Sequence, residues 1–283
     1  MRINRAGLCI FILTVLSCIA VYADMGVYII DVGQGDAIYI ILPGGKTALI
    51  DGGPGAEKIS KFIKEHQITK IDYLVLTHPD SDHYSGLKYV FTHCQVDNFY
   101  DTGVNNLNAT GDDTVRRLAV QEGCPVVYPK EGDELPWDPL VTVRVLNASP
   151  TAVVSSDSRL INNASIVLQL KYGNESILLA GDIDSTKEEQ LVSRYGDSLS
   201  STVLKAAHHG SRYSSSAAFL GAVNPQEVYI EVGKNNKHRH PAQETLNRIS
   251  KAGARIHRTD LSGTLSYTIR DSSATATTTS TNR

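Results

Sequence analysis

Tyr73-Leu74-Val75-Leu76-Thr77-His78-Pro79-Asp80-Ser81-Asp82-His83 decides how the rest of the chain is read. The apolar run Tyr73–Leu76 predicts a buried strand over Ile71–Thr77, and four ligand-type side chains follow it within six positions. His78 and Asp80 are two apart, so one turn can aim both at a single cation. Asp82 and His83 can supply a neighbouring cation. Imidazole nitrogens combined with carboxylate oxygens suit Zn²⁺ or Mn²⁺. The structural alternative is a loop with Asp82 as N-cap of a helix beginning near Tyr84, but capping needs one such residue, not four.

Working outward, the same layout recurs. Short strands are predicted over Val27–Asp31, Ala37–Leu42, Thr47–Asp51, Val141–Leu146, Ser165–Leu170, Ser176–Ala180, Thr202–Ala206, Glu227–Val232, Arg255–His257 and Thr264–Ile269. Amphipathic helices are predicted over Glu57–Gln67, Asp112–Glu122, Lys187–Tyr195, Ala217–Val223 and Gln243–Ala252. Polar residues sit just beyond apolar strands: Asp51, the His78–His83 cluster, Asp182, and His208-His209. A rigid sheet holds such positions in place. Asp182 reads either as a bridging ligand or as N-cap of the segment beginning at Ser185. Of His208 and His209, one suits a metal and the other an acid or phosphate contact, and spacing does not decide between them. Lys234–Pro241, rich in bases and histidines, reads by itself as a solvated loop.

Composition bounds the answer. The 283 residues are 41% hydrophobic and 20% charged, enough for a full core in one α/β domain. Net charge is −3, so contact with nucleic acid has to be local rather than a bulk basic coat. Arg2 and Arg5 precede an apolar run from Ala6 to Val21, and Val21-Tyr22-Ala23 offers a cleavage site before Asp24. That is the layout of a secretory signal peptide over 1–23. The expected destination is the periplasm or the outside of the cell. Lipidation of Cys18, or an uncleaved anchor, would instead bring membrane contact. The expected domain covers 24–270, and Asp271–Arg283 reads as a Ser/Thr-rich tail. Cys94 and Cys124 read as either a pair or two buried thiols.

Taken in order, Asp31-Val32-Gly33-Gln34-Gly35-Asp36, Asp51-Gly52-Gly53, His78–His83, Asn162-Asn163-Ala164-Ser165, Gly181-Asp182, His208-His209-Gly210-Ser211 and His240-Pro241 resemble the metallo-β-lactamase superfamily. Within it the chain is similar to the extracellular hydrolase domain of ComEC competence DNA-uptake channels, here expected as a free-standing exported domain. The resemblance implies an α/β four-layer αβ/βα sandwich with two divalent ions, Zn²⁺ or Mn²⁺. It implies His78 and Asp80 on one ion, Asp82 and His83 on the other, and Asp182 between them. His240 and one of the paired histidines complete the set, with His208 assigned to metal and His209 to acid catalysis. Asp51 and Asp36 would orient ligands from behind. Asp80 and Asn162 or Asn163 stand where many members carry histidine, as in the ComEC-like branch.

Two such ions, roughly 3.5–4 Å apart, acidify water into a nucleophile and neutralise phosphoryl charge. Lys205, Ser211, Arg212 and Lys237, with Asn162 and Asn163, are the expected substrate contacts, and they favour a phosphodiester. The reading is therefore a hydrolase cleaving DNA, with Asp82, Asp182 and His209 as catalytic residues. A phosphodiesterase of envelope polymers or small diesters, and a non-catalytic metal-containing binding protein, are the competing readings. Ser214-Ser215-Ser216 reads chiefly as a helix start, and Tyr84, Tyr89 and Tyr213 as packing residues.

Overall fold

The computed structural model describes residues 23–109, 111–149 and 154–270. The expected leader, with Cys18, and the expected tail fall outside these apart from Ala23. Two seven-stranded sheets face each other. In the first, Leu265–Ile269, Met25–Ile29, Ile38–Ile41 and Thr47–Ile50 run antiparallel, followed in parallel by Tyr73–Leu76, Phe99–Asp101 and Val126–Val127. The second repeats the plan. Glu134–Asp138, Val141–Asn147, Val167–Tyr172 and Glu175–Leu179 are antiparallel, then Val203–Lys205, Glu227–Ile230 and Arg255–Arg258 are parallel.

Parallel neighbours need crossovers, and helices supply them. Ala56–Glu65, Leu87–His93 and Asp112–Gln121 cover the first sheet, while Ser185–Tyr195, Ala217–Val223 and Gln243–Lys251 cover the second. The period-two alternation of strand residues sorts the core. Ile38, Ile40, Tyr73, Val75, Ile177 and Leu179 pack between the sheets. Leu74 and Leu76 turn outward onto Ile59, Phe62 and Val90, and Leu178 and Leu204 turn onto Phe219, Leu220 and Ile249. Three apolar layers thus join four layers of secondary structure, the expected αβ/βα sandwich. Cys94 and Cys124 are buried and free. No helix among the described residues is long and apolar enough to cross a membrane.

Several elements differ from the expectation. The predicted strand Ile71–Thr77 is broken at Asp72, whose carboxylate turns aside to accept the Thr47 amide at 2.9 Å. Strand Glu134–Asp138 escapes a pattern reading because it carries Pro136, a residue tolerated there because the strand forms the sheet's edge. The helix read as beginning near Tyr84 is split into Ser81–Tyr84 and Leu87–His93, and the short helix Ser158–Asn163 is an addition to the predicted elements. Ser214–Ser216 does start a helix: Ser216 caps Ala217–Val223 by accepting the Phe219 amide.

Candidate metal centre

The chain leaves each parallel strand on the same side of the sandwich, and the polar residues gather there. After Thr47–Ile50 comes Asp51, fully buried and left-handed (φ 60°). Its Oδ1 accepts the Thr77 amide at 2.8 Å, and its Oδ2 accepts the Thr77 hydroxyl at 2.6 Å and His83 Nδ1 at 2.8 Å. His83 therefore keeps its proton on Nδ1 and turns Nε2 inward, the usual arrangement of a carboxylate behind a ligating imidazole.

The helix of the decisive stretch begins at Ser81, so Asp80 and not Asp82 occupies the N-cap position, and its side chain makes no cap bond. Asp80 Oδ1 instead accepts Asn106 Nδ2 at 2.9 Å, and with the Asn162 side-chain amide turned to satisfy its neighbours, Oδ2 accepts Asn162 Nδ2 at 3.2 Å. His78 Nε2 lies 3.7 Å from Asp80 Oδ2. The capping alternative thus fails at each of the four residues.

It fails at Asp182 too. The N-cap of Ser185–Tyr195 is Asp184, which accepts the Thr186 and Lys187 amides, leaving Asp182 free for the centre. The turn into Asp182 requires Gly181, at φ 53°, because a Cβ there would stand 2.7 Å from that of Ser165. Asp182 Oδ2 is the hub: His209 Nε2 lies at 3.4 Å, His83 Nε2 at 3.5 Å, His208 Nε2 at 3.8 Å and His78 Nε2 at 3.9 Å.

His208 and His209 are consecutive left-handed residues, φ 50° and 52°, a conformation that costs of order 1–3 kcal/mol each and is characteristic of functional sites. The kink sends the two rings apart. His209 is buried, its Nδ1 held by the Glu231 carbonyl at 3.0 Å and Asp36 Oδ1 at 3.1 Å. Its Nε2 stands 3.4 Å from Asp82 Oδ2, so His209 groups with Asp82 and His83. His208 instead lines the two cavities that meet at Asp182. Spacing alone does not divide the two histidines, and the resemblance assigned His208 to metal and His209 to acid catalysis; here His209 is the one that stands among the carboxylates and His208 the one that faces the cavities. His240 joins no such cluster among the described residues. Its ring centroid lies 5.5 Å from that of His208, and its Nδ1 is buried without a hydrogen bond.

His78 Nε2, His83 Nε2, His209 Nε2 and Asp182 Oδ1 are likewise buried without hydrogen-bond partners. Orphaned polar atoms normally cost stability. Here the orphans are lone-pair donors converging from several elements, with nitrogen and carboxylate donors mutually within 4.8 Å, so the residues fit divalent cations. Electrostatics agree. Burial opposes charge on His209, yet Asp182 and Asp36 outweigh it and push the imidazole up to about 10. His83 is raised against its burial by Asp182 and Asp51. Burial pushes Asp182 up, but the surrounding histidines hold it well below the carboxylate range. Burial and the neighbouring His208 press His240 down to about 4. The pocket is thus rich in negative charge that a cation would neutralise, with release of the imidazole protons.

The expected substrate contacts divide. Lys205 is a correction: it is 1% exposed and salt-bridged to Asp36, with Asp182 Oδ1 at 4.0 Å, so it supports the centre from behind and offers nothing to a substrate. Ser211 is also buried, its hydroxyl accepting the Tyr213 amide. Asn163 accepts the Asp184 amide at 2.8 Å and is structural, whereas Asn162 lines the cavity beside Asp182. Lys237 lines the other cavity, and Arg212 is exposed on the adjoining loop. Two contributors were not expected. Glu231, whose carboxyl burial and Asp36 push well up, accepts the Ala37 amide and presents its carbonyl to His209. An acid inside the apolar run Glu227–Val232 was the available signal. Asn106 orients Asp80 from the short strand Asn105–Asn106, 26 positions on, and no local pattern announces it.

A family model described as the metallo-beta-lactamase superfamily matches residues 30–230. The chain is 28% identical to ComE operon protein 3 of Bacillus subtilis, covering 92% of this chain and 35% of that protein. It is 30% identical to competence protein ComA of Neisseria gonorrhoeae, covering 86% and 32%. Recombination protein 2 of Haemophilus influenzae is 29% identical, covering 83% and 27%. The chain thus spans about a third of the length of the curated relatives it matches. Among solved structures, the metallo-beta-lactamase fold protein YhfI of Bacillus subtilis superposes with a TM-score of 0.56 at 11% identity, covering 87% of this chain and 100% of that one. Igni18, a metallo hydrolase of Ignicoccus hospitalis, does so at 0.55 and 13%, with the same coverage.

Proposed function

The chain belongs to the metallo-beta-lactamase superfamily, and from that premise we propose that it is an exported, metal-dependent phosphodiesterase whose substrate is nucleic acid, DNA foremost. The observation that carries the reading is the convergence of four imidazole nitrogens on Asp182 Oδ2, three of them buried and without hydrogen-bond partners. His78 and Asp80 would hold one divalent ion, Asp82, His83 and His209 the other, with Asp182 shared. Ions held there supply Lewis acidity toward a phosphoryl oxygen and acidify a water.

The protein's own residues do the positioning. Asp51 and the Glu231 carbonyl lock the tautomers of His83 and His209, so both turn Nε2 inward. His208 is held below its ordinary value by burial and by its neighbouring histidines. As a neutral ring at the cavity wall it can donate one N–H to a phosphoryl oxygen. Lys237 and Arg212 flank the opening and suit backbone phosphates, which position a strand without reading its bases. The relatives named for competence and recombination favour DNA over a small diester. Export rests on Arg2, Arg5 and the apolar run Ala6–Val21.

The test is degradation of linear single- and double-stranded DNA by the purified protein, with Mn²⁺, Zn²⁺ or Mg²⁺ restored after chelation, beside Asp82→Ala and Asp182→Ala. Metal-dependent cleavage lost in both variants is expected. Two bound metals without DNA cleavage would move the assignment to a small-diester or envelope substrate, or to a non-catalytic clamp. Failure to bind metal would overturn it.

A further inference from the structure

Tyr213 is 70% exposed and stands four residues after His209, on the wall of a cavity of about 420 Å³ shared with Asp182, His208 and Asn162. A tyrosine placed for packing would bury most of its ring. This one does not, although its backbone is held from several sides. Its amide donates to Ser211 Oγ at 3.3 Å, and its carbonyl accepts the Ser185 amide at 2.8 Å. The Arg248 guanidinium takes the carbonyls of Arg212 at 3.1 Å, Ser214 at 2.8 Å and Ser215 at 2.9 Å. Ser214 Oγ donates to the Ile183 carbonyl at 2.8 Å. The loop's backbone is tied at each of these points, and the ring is left open beside the centre.

The two cavities that meet at Asp182 and His208 differ in chemistry. One carries the exposed Lys237 and His238, matched to phosphate. On the Tyr213 side the lining guanidinium of Arg159 is engaged by Asp184 at 2.6 Å, and with Asp182 and Asp184 both on the wall the cavity pairs an exposed aromatic ring with no surplus of positive charge among its lining residues. That combination suits a base rather than a phosphate. Building on the phosphodiesterase reading, we propose that Tyr213 is a stacking platform for an unpaired nucleobase next to the scissile phosphate. The strand then crosses from the Lys237 wall to the Tyr213 wall. A paired base has both faces covered by its neighbours in the duplex, so the platform selects single strands and frayed ends. Stacking on an aromatic ring tolerates every base, so the selection is for strand state and not for sequence.

The experiment compares a short single-stranded oligothymidylate with an abasic oligonucleotide of equal length. Wild type, Tyr213→Ala and Tyr213→Phe are each used in two readouts: fluorescence anisotropy with chelator-treated protein, and cleavage with metal restored. Tyr213→Ala is expected to weaken oligothymidylate binding and raise its KM about tenfold while leaving the abasic strand unchanged, and Tyr213→Phe to stay within about twofold of wild type. Cleavage of relaxed, covalently closed duplex, which has no ends to fray, should be unaffected in both variants. Equal losses on both oligonucleotides, or no loss in Tyr213→Ala, would overturn the platform while leaving the phosphodiesterase standing. A wild type that neither binds nor cleaves either strand would overturn the nucleic-acid reading of the site and the platform with it.

Discussion

Asp51 Oδ2 and His83 Nδ1 are 2.8 Å apart in the buried floor of the site, and this one bond decides which imidazole nitrogen faces Asp182. Asp51→Asn keeps the shape but offers one acceptor oxygen where the Thr77 amide, the Thr77 hydroxyl and His83 use two. Metal affinity is expected to fall about 10–100-fold, as for other outer partners of metal-binding histidines. Calorimetric titration of metal into chelated wild type and variant checks it, and unchanged affinity would remove Asp51 from the supporting role.

Orphaned donors make the folded state gain from a cation. At a free metal concentration about a hundredfold above Kd, linkage predicts about 2.7 kcal/mol of stabilisation. For a domain of this size that is a rise in Tm of about 5–10 °C. Asp182→Asn removes the hub carboxylate and should lose most of the rise. A melting curve with and without chelator, for both proteins, gives the answer.

Lys205 and Asp36 form a buried ion pair that holds the loop Asp31–Asp36 against the second sheet. Lys205→Met leaves the Asp36 carboxylate without its cation and should cost about 3–5 kcal/mol in urea unfolding. Binding of oligonucleotide by the folded fraction should keep its salt dependence, since Lys205 offers nothing to phosphates.

The rim behaves oppositely. Lys237→Ala and Arg212→Ala should leave the urea midpoint unchanged and weaken single-stranded DNA about equally for all sequences. Each should lower the slope of log affinity against log salt by about 0.7. Anisotropy titrations across a salt series measure this, and an unchanged slope would place those side chains off the strand's path.

Asp72 sets an acid limit remote from the centre. Burial pushes its carboxyl up, but the Lys70 ammonium and the Thr47 amide outweigh that and hold it below the ordinary value of 3.8. A carboxylate lowered on folding contributes stability that is full above its unfolded pKa and is lost as pH falls below it. Wild type should therefore exceed Asp72→Asn in stability at neutral pH, with the gap closing as pH drops from about 5 toward 2. Urea midpoints over that range test the sign.

The fold and the candidate site were legible to different depths. His78–His83 is a local motif, and a buried strand running straight into four ligand-type residues is seldom built for anything but a cation. Asp182 needed the structure, because only the position of Asp184 shows that the helix already has its cap. Lys205 misled because a basic residue near a site suggests phosphate. Its strand alternation, with Val203 packed between the sheets, was the clue that its side chain points inward. Its partner Asp36 lies 169 positions away, beyond the reach of any spacing argument. His208 and His209 could not be told apart, since two left-handed residues in succession are a property of backbone and not of pattern.

The pairing of the last described strand with the first, Ile269 opposite Met25, brings the two ends of the domain together at one sheet edge, with the Arg270 guanidinium 3.6 Å from the Asp24 carboxylate. A unit closed in this way has a single doorway for the chain. It can be spliced into a larger host protein as a pendant, entering and leaving at one point, without threading its neighbours through the sandwich or unsettling the seam where the histidine and aspartate side chains converge.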